Sequence, residues 1–366
     1  MNFKERLAII YVKLVKTYRI VIINSFCSLV FKKNTDIKKI LINRDGAFGD
    51  SIVAMPAINL IRNNYPDARI DLLSINNDGI SFKDIGIEDK IIDNLYNITK
   101  RERKKTLKHL RQEAYDLFIQ LPQNIGLYKS IRNILLVRYL LRIPVAFGWD
   151  YGRVKSFMKY QKKHEAIPTE TQRFLDTLKL NRFVGDNIVY PLTSKKPNEK
   201  KLAKLLETTS PIAFLIGGKL QPKKWPLNHW KSLIKLIGEK QYILIIGGND
   251  EFEEGEEIKS GQNNVINLCG KLSITELRYT LSKCSVSISL DTGAMHLCDT
   301  TNTKQIVLFS TRDLSNKWFP NNKNSMVLEK VINCSFCLKT ECLNNICMSN
   351  ILPNEVYSEM KKVLSN

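Results

Sequence analysis

The sequence predicts an α/β protein built of two parallel, doubly wound sheets, and three observations carry that expectation. Short apolar runs of strand length alternate with helical periodicities along most of the chain. One alternation, ILINRDGAFGDSIVAMP at residues 40–56, passes from strand to helix through a glycine-containing turn, which is half of a βαβ unit. The alternation stops at a linker, residues 186–197, and then starts again. A chain of 366 residues with 43% hydrophobic residues is long enough for two domains with real cores. Two similar Rossmann-like domains facing each other across a cleft are the expected architecture.

Residues 1–36 read as a basic amphipathic helix, with Leu7, Ile10, Leu14, Val21, Phe26 and Leu29 among flanking lysines and arginines. Such a helix suits either the interface of an anionic membrane or packing on the first domain. Residues 20–31 are uncharged, but twelve residues are too few to span a bilayer. Lys13, Lys16 and Arg19 interrupt any cleavable leader pattern, so a cytoplasmic, reducing location is expected.

The first domain, 37–185, is expected to hold strands at 39–43, 69–74, 90–95, 116–120 and 143–147. Helices are expected at 51–64, 101–113, 126–141 and 170–183. Gly46 and Gly49 are the flexible points of the first turn, and Asp50 stands at the helix entrance, where a carboxylate serves as an N-cap. A turn of this kind sits at the carboxyl edge of the sheet, where open α/β folds bind ligands. Residues 149–163 read as an irregular basic, aromatic loop that includes Arg153 and Lys155.

A net charge of +20 requires an anionic partner: nucleic acid, a membrane surface or a phosphorylated substrate. The excess is local. Residues 1–39 hold nine Lys/Arg against Glu5 and Asp36, and residues 129–163 hold nine against Asp150. No recognisable nucleic-acid module accompanies these regions. A dinucleotide enzyme is disfavoured too, because GAFG is not GxGxxG and residues 69–74 end without a ribose-binding acid.

The second domain, 198–352, is expected to run strand 211–216, helix 227–239, strand 241–246, helix 251–260 and strand 265–268. Helix 273–283, strand 285–289, helix 293–301 and strand 304–309 follow. Pro353 opens a terminal helix within 353–366. Gly218, Lys219, Lys223 and Lys224 lie in a loop between strand and helix, where N–H groups and ammonium groups suit phosphate. Asp291, Thr292, Gly293 and His296 form a second such turn, SLDTGAMH. Asp291 there either caps the helix or shapes the loop for a ligand. Of eight cysteines, Cys27, Cys269, Cys284 and Cys298 read as small core residues. Cys334, Cys337, Cys342 and Cys347 are clustered at 334–347. Their density suits a tetrahedral structural zinc, with reduced thiols in a packed excursion as the alternative.

Four motifs together resemble glycosyltransferase family 9, the lipopolysaccharide heptosyltransferases: RDGAFGDSIVAMPAI, KKWP, DTGAMH and the cysteine-rich tail ending ILPNEV. The resemblance covers residues 38–364 and leaves the first 36 outside it. It implies a GT-B fold and an inverting, metal-independent transfer from a nucleotide-sugar, typically ADP-heptose, to the lipopolysaccharide inner core. It implies that Asp50 is the general base and Lys223 the phosphate-contacting lysine. Gly218, Lys219, Lys224, Asp291, Thr292, Gly293 and His296 would hold the donor. Gly46, Gly49, Arg153 and Lys155 would face an anionic, lipid-linked acceptor at the cytoplasmic face of a membrane, and the basic stretch 132–163 suits such an acceptor. No cofactor is expected for catalysis and no nucleic acid as partner. The alternative reading is a basic protein that binds a sugar nucleotide or nucleic acid without catalysis.

Overall fold

A computed structural model describes residues 22–23, 26–27, 30, 36–75, 82–99, 101–122, 127–149 and 167–365. The chain divides into two compact units, 1–192 and 193–366, each built on one all-parallel sheet.

In the first unit, β1 (Lys39–Asn43), β2 (Arg69–Ile75), β3 (Asn94–Ile98), β4 (Leu117–Gln120) and β5 (Val145–Phe147) are ordered β3-β2-β1-β4-β5. Central β1 and β4 are apolar almost throughout because a parallel sheet is covered on both faces. Helix α1 (Phe48–Asn64) follows β1 and is buried from Ser51 to Ile58. Pro56 lies inside it; the packing of this face outweighs the lost backbone bond. α2 (Arg103–Gln112), α3 (Leu127–Leu135) and α4 (Glu170–Leu180) complete the described helices of this unit. α3 runs on into a wider, π-type turn, Leu136–Leu140.

In the second unit, β6 (Ile212–Leu215), β7 (Ile243–Ile246), β8 (Val265–Asn267), β9 (Val286–Leu290), β10 (Lys304–Phe309) and β11 (Ser325–Glu329) are ordered β11-β10-β9-β6-β7-β8. Its helices are α5 (Lys200–Thr208), α6 (Leu227–Ile237), α7 (Phe252–Lys259), α8 (Ile274–Ser282), α9 (Gly293–Asp299), α10 (Ile346–Ser349) and α11 (Pro353–Ser365). Trp225 and Trp230 are fully buried in its core and meet edge to face at 4.9 Å.

Several expectations are corrected. The third strand is 94–98, not 90–95, and β11, α5 and α10 had no counterpart in the sequence reading. Helix α1 starts three residues early, so Gly49 lies inside its first turn and Asp50 is its third residue rather than its cap. Trp149 is not part of an exposed aromatic loop: it is buried and stacked on Phe118 at 5.5 Å. Residues 150–166, with Arg153 and Lys155, and most of the expected N-terminal helix lie outside the described residues. The described part of that helix packs on the first core: Ile23 is buried, and Phe26, Cys27 and Val30 lie against the same cluster. Burial pushes the Cys27, Cys269 and Cys298 thiols up to about 12 and Cys284 further, as expected of inert core residues.

Candidate active site

In a doubly wound sheet, ligands bind at the carboxyl edge where the strand order reverses. In the first unit that point lies between β1 and β4, which flank each other while the chain goes from β1 to β2 first. Asp50 is there. β1 ends at Asn43, Arg44 follows, and the turn through Gly46 delivers Asp50 one residue pair into α1. The Asp50 carboxylate accepts two hydrogen bonds, from Arg44 Nη2 at 2.7 Å and from the Ala47 N–H at 3.1 Å. The second satisfies an orphan donor of the helix start. A carboxylate has about four lone-pair sites, so acceptor capacity remains. Its side chain is 29% exposed while that of Arg44 is 4% exposed.

Arg44 is therefore the fixed member of the pair. Its Nη1 donates to the Pro122 carbonyl at 3.1 Å, just past β4, and its guanidinium lies over the Phe174 ring at 4.8 Å. Arg173 donates to the same carbonyl at 3.0 Å and pairs with buried Glu170. Burial pushes the Arg44 guanidinium down, opposed by the charges of Asp50 and Glu170. Gly46 is obligatory for this packing. A Cβ there would stand 2.4 Å from the Asp50 Cβ, closer than any real contact.

In the second unit the reversal lies between β6 and β9. The loops leaving those strands bring Lys223 and Asp291 into an ion pair through Nζ and Oδ2. Lys223, 16% exposed, closes a short 3-10 turn, Gln221–Lys223; Asp291, 5% exposed, follows β9. Asp291 is thus not the helix cap. Thr292 caps α9, with its hydroxyl accepting from Met295 N at 3.5 Å, and His296 is buried beside Trp318. Lys224 pairs with Glu254 at 2.6 Å, and Lys219 is exposed on the same loop. The Gly218 N–H, a candidate phosphate donor, goes to Glu251 Oε1 at 3.3 Å, and Glu251 Oε2 accepts the Gly248 N–H at 2.8 Å. Glu251 so ties the ends of β6 and β7 together.

The lysine loop is also held from the far end of the chain. Asn345 Nδ2 donates to the Lys224 carbonyl at 2.7 Å, the Cys342 N–H to Gln221 Oε1 at 3.3 Å, and Trp225 Nε1 to the Ile351 carbonyl at 2.9 Å. The clustered cysteines do not converge on a metal. The Cys342 sulfur accepts the Asn345 N–H at 3.3 Å, Cys347 pairs with Ser310 Oγ at 3.4 Å, and Cys334 is exposed. Among the described residues no group of three or more His, Cys, Asp or Glu is placed to hold a metal ion. Among the described residues the four sulfurs are thus not gathered into one tetrahedral ligand set.

Arg44, Glu170, Arg173, Glu251 and Asn345 had no assigned role in the sequence reading. Arg44 carried a usable signal, a charge placed directly after a buried strand at the carboxyl edge. Arg173, Glu251 and Asn345 act on groups 51, 33 and 121 residues away, and Glu170 pairs with Arg173 three residues on; no spacing rule connects them to the motifs.

Residues 103–347 match the family model of glycosyltransferase family 9 (heptosyltransferase). The chain is 23% identical over 345 residues to lipooligosaccharide heptosyltransferase 2 of Campylobacter jejuni, covering 90% of this chain and 99% of that protein. It is 25% identical over 229 residues to lipopolysaccharide heptosyltransferase 2 of Escherichia coli, covering 57% and 63%. Among solved structures, a family 9 glycosyl transferase from Veillonella parvula superposes with a TM-score of 0.71 at 17% identity, covering 91% of this chain and 99% of that one. E. coli ADP-heptose lps heptosyltransferase II superposes with a TM-score of 0.62 at 19% identity, covering 90% and 99%. The two parallel-sheet units are accordingly of the GT-B type. With the matched span reaching over most of the chain and including KKWP, DTGAMH and most of the cysteine-rich segment, the protein belongs to glycosyltransferase family 9, the heptosyltransferases.

Proposed function

We propose that this enzyme transfers a heptose from ADP-heptose to the lipopolysaccharide inner core, with inversion at the anomeric carbon and without a catalytic metal. The observation that carries the reading is the pair of charged groups at the two strand-order reversals: an oriented, accessible carboxylate in the first unit and a clamped lysine in the second. Family membership supports the sugar. The names of the relatives support the donor and the acceptor class.

In this mechanism the acceptor hydroxyl attacks the anomeric carbon as the bond from that carbon to the diphosphate breaks. Asp50 takes the hydroxyl proton on a lone pair not used by Arg44 or Ala47. ADP leaves with the bonding pair, and Lys223 and Lys224 offset the charge that grows on it. Asp291 and Glu254 orient those ammonium groups and yield ground to the diphosphate when it binds. Thr292, Gly293 and His296 line the same edge and position the donor. Gly46 and Gly49 keep the first turn low beside the acceptor. The acceptor is lipid-linked, which places the enzyme at the cytoplasmic face of a membrane as a peripheral protein. No helix among the described residues is long and apolar enough to cross one.

The test is incubation with ADP-heptose and a heptose-deficient lipopolysaccharide core, with and without a chelator. The product is read by mass and by its anomeric configuration. A mass gain of one heptose, inverted and insensitive to chelator, is expected. Retention of configuration overturns the single displacement, and activity lost to chelator but restored by a divalent cation overturns the metal independence. Turnover of another nucleotide-sugar alone overturns the donor.

A further inference from the structure

The helix that joins β4 to β5 has one face in the core and one in solvent, and the solvent face is not what a solvated helix normally shows. Ser130, Ile134, Val137 and Leu141 are buried, the last three in the same cluster as Phe118 and Trp149. On the other side, Tyr128, Arg132 and Leu135 follow one another at spacings of four and three, the repeat of a single α-helix face, and Tyr139 on the π-type turn and Arg142 just past its end, at a φ of 60°, continue the run. All five are exposed, with Tyr128 at 79% and Tyr139 at 68%. Leu140, carried by the wide π-type turn Leu136–Leu140, is exposed beside Tyr139, and Lys129 is exposed beside Tyr128.

Two features of this face go together. Its apolar members are two tyrosines and two leucines, side chains with a large apolar body of which the tyrosines keep a polar tip. Its charged members are all basic: residues 117–149 contain Lys129, Arg132, Arg138 and Arg142 and not one Asp or Glu. A face of this one sign calls for an anionic partner. A face with aromatic and aliphatic side chains among uniformly basic ones matches the headgroup region of an anionic bilayer, where the rings sit at headgroup depth and the cations meet phosphates. The helix follows β4, so the stripe starts at the carboxyl edge of the first sheet, the edge that carries Asp50.

We infer that the stripe formed by Tyr128, Arg132, Leu135, Tyr139, Leu140 and Arg142 is the surface by which the enzyme docks on an anionic lipid bilayer. Its purpose rests on the proposed lipid-linked acceptor, but its chemistry does not, and the two fail separately. The experiment uses the full chain and vesicles without donor or acceptor. Binding is measured by flotation with phosphatidylethanolamine–phosphatidylglycerol vesicles and with pure phosphatidylcholine vesicles. Wild type should prefer the anionic vesicles, and added salt should weaken that preference. The variant Tyr128→Ser, Leu135→Ser, Tyr139→Ser, Leu140→Ser should partition at least tenfold less while keeping transfer to a lipid-free acceptor oligosaccharide. A milder variant, Tyr128→Ser with Tyr139→Ser, changes only the two most exposed rings and should lose several-fold with an unchanged melting temperature. Wild-type partitioning in both variants overturns the proposal. So does a variant whose only change is in oligomeric mass by light scattering, since the face would then meet a second copy of the chain.

Discussion

The two candidate sites, one in each unit, are built in opposite ways. Each holds a partly exposed charge against a more deeply buried charge of the other sign: Arg44 behind Asp50, and Asp291 behind Lys223. In the first unit the proposed reactive group is the anion, and both groups that bond it come from one short loop, Arg44 six residues before Asp50 and Ala47 three before it, with Arg44 in turn anchored on Pro122, 78 residues away. In the second it is the cation, whose partner Asp291 is 68 residues away and whose loop is bonded to segments 33 and 121 residues away. A proton acceptor must present one atom in one direction, which a single rigid turn achieves. A diphosphate site must surround several oxygens, which takes several strand ends. The difference predicts that damage to the first site falls on turnover alone, whereas damage to the second falls on donor affinity as well.

The largest expected effect tests the first half of that statement. Asp50→Ala should lower kcat by about 10²–10⁴-fold, the usual contribution of a positioned general base. ADP affinity, measured by calorimetry, should stay as in wild type. An unchanged kcat would remove Asp50 from the chemistry. Next in size, Lys223→Ala should slow transfer by about 10²–10³-fold, comparable to the loss of one preorganised charge-stabilising group, and should also weaken ADP binding. If ADP binding is unchanged, the lysine acts only late in the reaction and the contrast between the sites narrows.

How much of this was legible follows from the same contrast. Strands β1, β4, β6 and β7 are covered on both faces, so they appear as apolar runs such as ILI and FLI, and sequence reading placed them within a residue or two. The edge strands β3 and β11 are half-exposed, and NLYNI and SMVLE carry no clean alternation, so one was misplaced and the other missed. Asp50 and Lys223 stood out because a glycine turn and a lysine loop are local features. Asn345 did not, because its contact with Lys224 depends on how the cysteine-rich segment folds back.

Smaller effects separate orientation from chemistry in the first unit. Arg44→Met keeps an unbranched apolar stem but removes the guanidinium and its hydrogen bond to Asp50, and kcat should fall by about tenfold or more while ADP affinity holds. Removing the buried Arg44 guanidinium from its partners also destabilises, so the melting temperature should drop, and activity is best compared well below it. Gly46→Ala makes the same argument with no charge removed. Its methyl group must displace the Asp50 Cβ, so turnover should fall together with the Arg44 variant. Normal turnover in Gly46→Ala would mean that the Asp50 turn is softer than its contacts imply.

The smallest expected effect tests the long-range support of the second site. Asn345 has a backbone φ of 40°, in the left-handed region that glycine tolerates and alanine does not. Its amide donates to the Lys224 carbonyl, while its buried Oδ1 has no hydrogen-bond partner. Asn345→Gly keeps the backbone conformation and removes only that bond; Asn345→Ala removes the bond and strains the turn. If Asn345 steadies the lysine loop, Asn345→Gly should raise the donor KM by roughly five- to tenfold, about 1–1.4 kcal/mol for one hydrogen bond, and leave the acceptor KM alone. Asn345→Ala should do the same and also lower the melting temperature. A donor KM that moves in the alanine variant but not in the glycine one would assign the effect to the turn instead. The lysine loop would then rest on the Trp225–Ile351 and Gln221–Cys342 bonds, which span 126 and 121 residues, and the second site would keep its long-range support without the Asn345 amide.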